Sequence, residues 1–183
     1  GYAGAVYILS ADTSGAVDAT RAGITLSGDA GDWVGWSVAG AGDVNGDGYD
    51  DILIGAYSED TSGSHAGSAY LVLGSASPVG ASLSDADAWY LGSSAYDYTG
   101  HAVSNAGDVN DDGLDDLLIG AQYASSWGEG KVYLVLGSAS PSDMDVSSAD
   151  AIFSGESGDD LNFGDLRYGQ AGAPRAGYAH VPA

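Results

Sequence analysis

The chain has 183 residues, no cysteine and a formal net charge of −22, because 26 acidic side chains face only 4 Lys and Arg. This charge repels nucleic acid and anionic membrane surfaces, and the lack of cysteine excludes disulfides and thiol chemistry. Hydrophobic residues still make up 44% of the chain at alternating positions, which predicts a folded protein rather than an acidic disordered one.

In chain order, the apolar residues recur with a period of two between runs of Gly, Ser and Asp, which predicts short β-strands. A first strand at 5–9 precedes two sets of four. The predicted strands are 24–27, 36–41, 51–56 and 69–73 in the first set, and 89–92, 101–106, 116–121 and 132–136 in the second. No stretch of ten or more residues has helical spacing, so the sequence predicts an all-β fold.

The strands belong to internal repeats. The run Tyr70-Leu71-Val72-Leu73 returns as Tyr133-Leu134-Val135-Leu136 after 63 residues (133 − 70), and residues 4–9 form a third copy. Four strands per repeat describe a β-propeller blade. We expect a last strand of a preceding blade plus linker at 1–22, full repeats at 23–87 and 88–150, and a degenerate partial repeat at 151–183.

A D-x-N-x-D-G-x-x-D motif lies between the second and third strands of each full repeat, at residues 43–51 and 108–116. Oxygen side chains at positions one, three and five converge when such a loop curls, and calcium prefers these ligands. The predicted ligands are the side chains of Asp43, Asn45, Asp47 and Asp51 with the carbonyl of Tyr49, and the side chains of Asp108, Asn110, Asp112 and Asp116 with the carbonyl of Leu114.

Two acidic, solvated turns are the alternative to two Ca²⁺ sites, since Asp, Asn and Gly are common turn formers. The repetition of the motif in the same context favours the metal. Asp50 and Asp115, at position eight, are expected to point away from the ion into solvent.

These motifs resemble the FG-GAP repeats that build the β-propeller of integrin α chains and of many secreted bacterial proteins. The resemblance rests on Ala41-Gly42-Asp43-Val44-Asn45-Gly46-Asp47-Gly48 and on the following D-[IL]-L-I-G-A strands. The naming residues differ, with Val34-Gly35 and Thr99-Gly100 at the FG position. The third repeat keeps Phe163-Gly164 and Gly172-Ala173-Pro174 but has no calcium motif between them, so no cation is expected there.

The resemblance implies an incomplete propeller or an array of four-stranded blades. Exposed blade edges favour association, so we expect either further blades of a larger propeller or self-association as a ring or filament. Weak calcium loops suit the calcium-rich cell exterior, which indicates an extracellular structural or adhesive protein. The alternative is a lectin-like or adhesin-like binding module, or the non-catalytic propeller part of a larger secreted protein.

No catalytic site is expected, because His65, His101 and His180 stand without a nucleophile and a carboxylate at recognisable spacing. The aromatic residues are expected mainly to pack between blades. The alternative is a protein or carbohydrate contact surface on the loop face, at loops 57–67 and 122–130, which differ between the repeats. The residues in question are Trp33, Trp36, Trp89, Trp127, Tyr57, Tyr96, Tyr98 and Tyr123.

Overall fold

A computed structural model describes residues 1–9, 23–76, 82–125 and 129–155, and over these the fold is all-β, as predicted. Within these ranges there is no helix long and apolar enough to cross a membrane. The strands are β1 (Ala5–Ile8), β2 (Ile24–Ser27), β3 (Ser37–Gly42), β4 (Asp51–Ala56), β5 (Ser68–Val72), β6 (Ala88–Leu91), β7 (Thr99–Gly107), β8 (Asp116–Ala121), β9 (Lys131–Val135), β10 (Met144–Asp145) and β11 (Ala151–Ser154).

The strands form propeller-type blades. One sheet has the order β3-β4-β5-β6, with β10 added in parallel to β6 at its edge, and a second has the order β7-β8-β9-β11. A third sheet contains β1 and β2. In the sequence, β2, β6 and β11 stand first in their repeats, yet each pairs with the last strand of the repeat before it. Each sheet is therefore closed by a strand from the following repeat.

The central strands of the two larger sheets, β4 and β8, are almost entirely buried. Neighbouring sheets cover both faces of β4, and the first sheet covers one face of β8. An unbroken apolar run is typical of such strands. One core cluster joins the two larger sheets and includes Leu53, Leu71, Leu117, Ile119 and Tyr133. Another joins the β1–β2 pair to the first sheet. Burial of each such side chain contributes about 1.5–3 kcal/mol, so the stacked sheets stabilise one another.

The two larger sheets approach each other closely at Gly55 of β4. A Cβ atom there would lie 2.0 Å from the carbonyl oxygen of Gly100 and 2.2 Å from Ser37 Oγ. Ser37 Oγ donates a hydrogen bond to the same carbonyl oxygen at 2.8 Å. The absence of a side chain therefore lets β4 and the start of β7 pack backbone against backbone.

Several sequence predictions lie outside the described residues. They include Trp127, His180 and most of the partial repeat at 151–183, where only residues up to 155 are described. The expectation that this repeat has no calcium loop stays a prediction from its sequence.

Candidate cation loops and aromatic surface

The two predicted cation loops connect β3 to β4 and β7 to β8, within antiparallel hairpins. Position six has a left-handed backbone in both, with φ of 88° at Gly48 and 90° at Gly113. Only glycine adopts this conformation at no steric cost, as the motif predicts. Position four is also left-handed, with φ of 76° at Gly46 and 59° at Asp111. The backbones of the two loops therefore turn in the same way at positions four and six.

In the first loop, the side chains at positions one, three and five turn inwards. The backbone N–H of Asp47 donates to Asp43 Oδ1 and to Asn45 Oδ1, each at 3.0 Å. Gly48 N–H donates to Asp43 Oδ2 at 2.9 Å, and Tyr49 N–H donates to Asp47 Oδ1 at 2.9 Å. The loop therefore brings the side-chain oxygens of Asp43, Asn45 and Asp47 together by local bonds.

The second loop repeats this arrangement bond for bond. Asp112 N–H donates to Asp108 Oδ1 at 3.0 Å and to Asn110 Oδ1 at 3.1 Å. Gly113 N–H donates to Asp108 Oδ2 at 2.7 Å, and Leu114 N–H donates to Asp112 Oδ1 at 2.9 Å. Two loops 65 residues apart (108 − 43) therefore present the same set of oxygens.

The aspartate at position nine lies at the buried base of each loop. Asp51 is 1% exposed, and its Oδ2 and Oδ1 accept the N–H groups of Val44 at 2.9 Å and Gly74 at 2.7 Å. Asp116 is equally buried, and its Oδ2 and Oδ1 accept the N–H groups of Val109 and Gly137, each at 2.7 Å. Burial raises the pKa of both carboxyls above its ordinary value. The hydrogen bonds from the backbone N–H groups oppose this rise, whereas the neighbouring aspartates add to it.

The donor chemistry of the loops fits a hard divalent cation, because the inward groups are carboxylate and amide oxygens. A carboxylate that accepts one N–H bond on each oxygen keeps further lone pairs for a metal. Across the described ranges, no group of three or more acidic or histidine side chains is close enough together to hold a metal ion. Asn45 Nδ2 instead bonds Asp47 Oδ2 at 3.0 Å. The ligand role of the Tyr49 and Leu114 carbonyls stays a prediction.

The two position-eight aspartates differ, which corrects the expectation that both are solvated. Asp50 is exposed. Asp115 is half-buried, and its Oδ2 accepts the backbone N–H of Asp43 from the first loop at 2.9 Å. Sequence reasoning missed this contact because the two residues are 72 positions apart (115 − 43).

Aromatic rings form a continuous surface at the strand ends opposite the cation loops. They come from the β2–β3, β4–β5, β6–β7 and β8–β9 connections, from Tyr2 before β1 and from His101 near the start of β7. Neighbouring ring centroids lie 4.9–6.0 Å apart. We call this the aromatic surface, and its rings are Tyr2, Trp33, Trp36, Tyr57, His65, Tyr96, Tyr98, His101 and Tyr123. Several rings are more than half exposed, including Trp36 at 51% and Tyr123 at 52%.

Trp89 behaves differently, since it packs edge-on against Tyr70 at 5.3 Å beside the core. Packing between blades therefore accounts for Trp89, whereas the rings of the aromatic surface remain partly open to solvent. The sequence identifies these aromatic residues but not which of them are exposed together.

The aromatic surface has an unusual backbone. Trp33, His65, Tyr96 and Tyr98 all have positive φ, between 52° and 67°. For a bulky residue this conformation is a steric outlier that costs on the order of 1–3 kcal/mol, and such outliers concentrate at functional sites. His101 adds a buried Nδ1 that has no hydrogen-bond partner among the described atoms. Burial lowers the pKa of His101, so the neutral imidazole is favoured.

Among the histidines of the described residues, only His65 has a serine hydroxyl within hydrogen-bonding distance. The sequence does not predict this contact. His65 Nδ1 lies 2.7 Å from Ser58 Oγ and 4.0 Å from Asp60 Oδ1. A nucleophilic triad places the serine and the acid on opposite ring nitrogens. Here both approach the same nitrogen, so this cluster lacks the geometry of a triad.

The repeats of this chain match a known family of proteins. The FG-GAP repeat family matches residues 34–72 and 99–135. Mouse integrin alpha-3 is 32% identical over 132 residues, which is 72% of this chain, and mouse integrin alpha-IIb is 37% identical over 100 residues, or 52% of it. The Caenorhabditis elegans integrin alpha pat-2 is 36% identical over 59% of this chain. The chain spans only 10–12% of the length of these relatives.

Proposed function

This chain is an FG-GAP repeat protein with blades similar to those of integrin α chains, and we propose that it is a calcium-stabilised, non-catalytic part of an extracellular adhesive propeller. The single observation that carries the proposal is the pair of loops at 43–51 and 108–116, whose inward oxygens and local hydrogen bonds are the same.

Calcium would act mechanically in this protein. Each loop places several carboxylates within one hairpin, where their mutual repulsion opposes folding, and a bound divalent cation would neutralise it. Asp43, Asn45, Asp47 and Asp51 would hold the first cation, with the matching residues of 108–116 holding the second. The extracellular location is proposed because free calcium is abundant there and weak loops bind it only at such concentrations.

The adhesive role is supported by the aromatic surface. Rigid, exposed aromatic rings present a large contact area at low entropic cost, and such rings are enriched where proteins recognise partners. The ligand class is a protein or a carbohydrate. The aromatic surface would bind the ligand. The cation loops, at the other ends of the strands, would stabilise the blades.

Binding to arrays of glycans and of extracellular-matrix proteins tests the adhesive role. We expect saturable binding that Trp36→Ala or Tyr123→Ala weakens by about tenfold or more, because exposed aromatic anchors contribute ~2 kcal/mol at binding sites. Tyr7→Ala is the matched control, since Tyr7 is 48% exposed on β1 and does not belong to the aromatic surface. Equal binding by all three variants would contradict a ligand site at this surface.

Light scattering in calcium and in excess chelator tests how the chain assembles. Filaments or rings that dissolve on chelation would favour a structural subunit over a binding module. A monomer in both conditions would favour a module that works beside other blades, and adhesion would then rest on the array experiment.

A further inference from the structure

The first cation loop is held from outside by residues of the second repeat. Asp43 N–H donates to Asp115 Oδ2 at 2.9 Å, and Asp115 N–H donates to the Asp43 carbonyl oxygen at 3.1 Å. Ser138 N–H donates to the Val44 carbonyl oxygen at 3.0 Å. Both main-chain polar groups of Asp43, the first predicted ligand, are therefore bonded to one residue of the neighbouring loop.

The space around Gly42 gives independent support for this contact. A Cβ atom at Gly42 would lie 2.1 Å from Asp115 Oδ2 and 2.6 Å from Asn105 Nδ2. Asn105 Nδ2 also donates across the interface to the Ala41 carbonyl oxygen at 2.7 Å. At the equivalent glycine of the second repeat, Gly107, a Cβ atom would have no described residue within 4 Å. The Asp115 carboxylate is thus inserted where the first repeat lacks a side chain.

Asp50 provides the natural comparison, because it occupies position eight of the first loop. Its side chain is exposed and, within the described part of the chain, accepts no hydrogen bond. Asp115 and Asp50 therefore carry the same charge at the same position of two matching loops, but among the described residues only Asp115 reaches another loop.

We propose that Asp115 is a positioning residue that couples the two cation loops, an inference that rests on the proposed calcium role. By fixing the main chain of Asp43, Asp115 pre-organises the first loop, so less ordering is needed when a cation binds there. Asp115 itself stands between two predicted ligands of the second loop, Leu114 and Asp116. Occupation of the second loop therefore fixes Asp115, and by linkage each cation strengthens the binding of the other.

Calcium titration by calorimetry of the full chain, with the second loop disabled, tests how Asp115 positions the first loop. In an Asp112→Ala chain, which leaves the first loop intact, we expect Asp115→Ala to weaken calcium binding by a factor of about three to ten. Asp115→Asn keeps an acceptor for the Asp43 N–H and should restore most of the affinity. Asp50→Ala removes a carboxylate that is closer in sequence to the first site and should have a smaller effect.

Hydrogen exchange supplies a readout without metal. In chelator, the Asp43 amide should exchange faster in Asp115→Ala than in the unmodified chain or in Asp50→Ala, because only the first variant removes its acceptor. An unchanged exchange rate would overturn the proposal.

The remaining outcomes separate this inference from the proposed function. If both loops bind calcium but Asp115→Ala is no more damaging to the first loop than Asp50→Ala, the coupling is wrong and the calcium sites stand. If the unmodified chain binds no calcium, the calcium assignment and the coupling both fall.

Discussion

Asp47→Ala removes the position-five oxygen of the first loop and leaves the blade core untouched. Without a cation, Asp47 makes only exposed contacts, accepting Tyr49 N–H at 2.9 Å and Asn45 Nδ2 at 3.0 Å. Their loss should cost about 0.5 kcal/mol. With calcium at about 1 mM and a dissociation constant near ~0.1 mM, an intact site adds about 1.4 kcal/mol to the free energy of unfolding.

That linkage energy corresponds to a fall in melting temperature of about 3–6 °C for a chain of this size. Circular dichroism would follow thermal unfolding of the unmodified chain, Asp47→Ala and the control Asp50→Ala, each in calcium and in excess chelator. We expect this fall in melting temperature only for Asp47→Ala in calcium. Equal destabilisation of Asp47→Ala in both solutions would refute its assignment as a ligand.

Three further predictions concern backbone, packing and charge. Asp111→Val should destabilise the chain by about 1–2 kcal/mol in chemical denaturation, since a β-branched residue is strained at a φ of 59°, whereas Asp111→Gly should not. Gly55→Ala should cost about 1–3 kcal/mol in the same assay by forcing β4 from β7, whereas Gly40→Ala in β3 meets no described residue within 4 Å and should be near neutral. Burial raises the pKa of Asp97 above its unfolded value although Lys131 opposes the effect, so its ionisation lowers stability as pH rises through the folded pKa. Asp97→Asn should therefore raise the melting temperature at pH ~7 and lose that advantage near pH ~4, and a constant advantage would contradict this account.

The local sequence determined most of the strands. The predicted ranges 24–27, 51–56 and 116–121 match β2, β4 and β8, and the other predicted ranges lie within a few residues of the observed bounds. Period-two runs bounded by Gly, Asp and Ser are readable because each strand's alternation and each turn's backbone depend on neighbouring residues. The inward orientation of Asp43, Asn45 and Asp47 is equally local, since their loop bonds span two to five residues. The repeat boundaries at 23–87 and 88–150 stay predictions.

Only the tertiary structure decided which strand closes each blade, which aromatic rings meet, and where Asp115 reaches. The aromatic surface is assembled from four connections, from Tyr2 before β1 and from His101 of β7, and the bond from Asp43 to Asp115 joins residues 72 positions apart. Such contacts depend on how neighbouring sheets stack, which is set by buried cores such as that around Leu53 and Ile119 and by the close approach at Gly55. Local patterns carry no information on that stacking, because they are the same in two repeats whose surroundings differ.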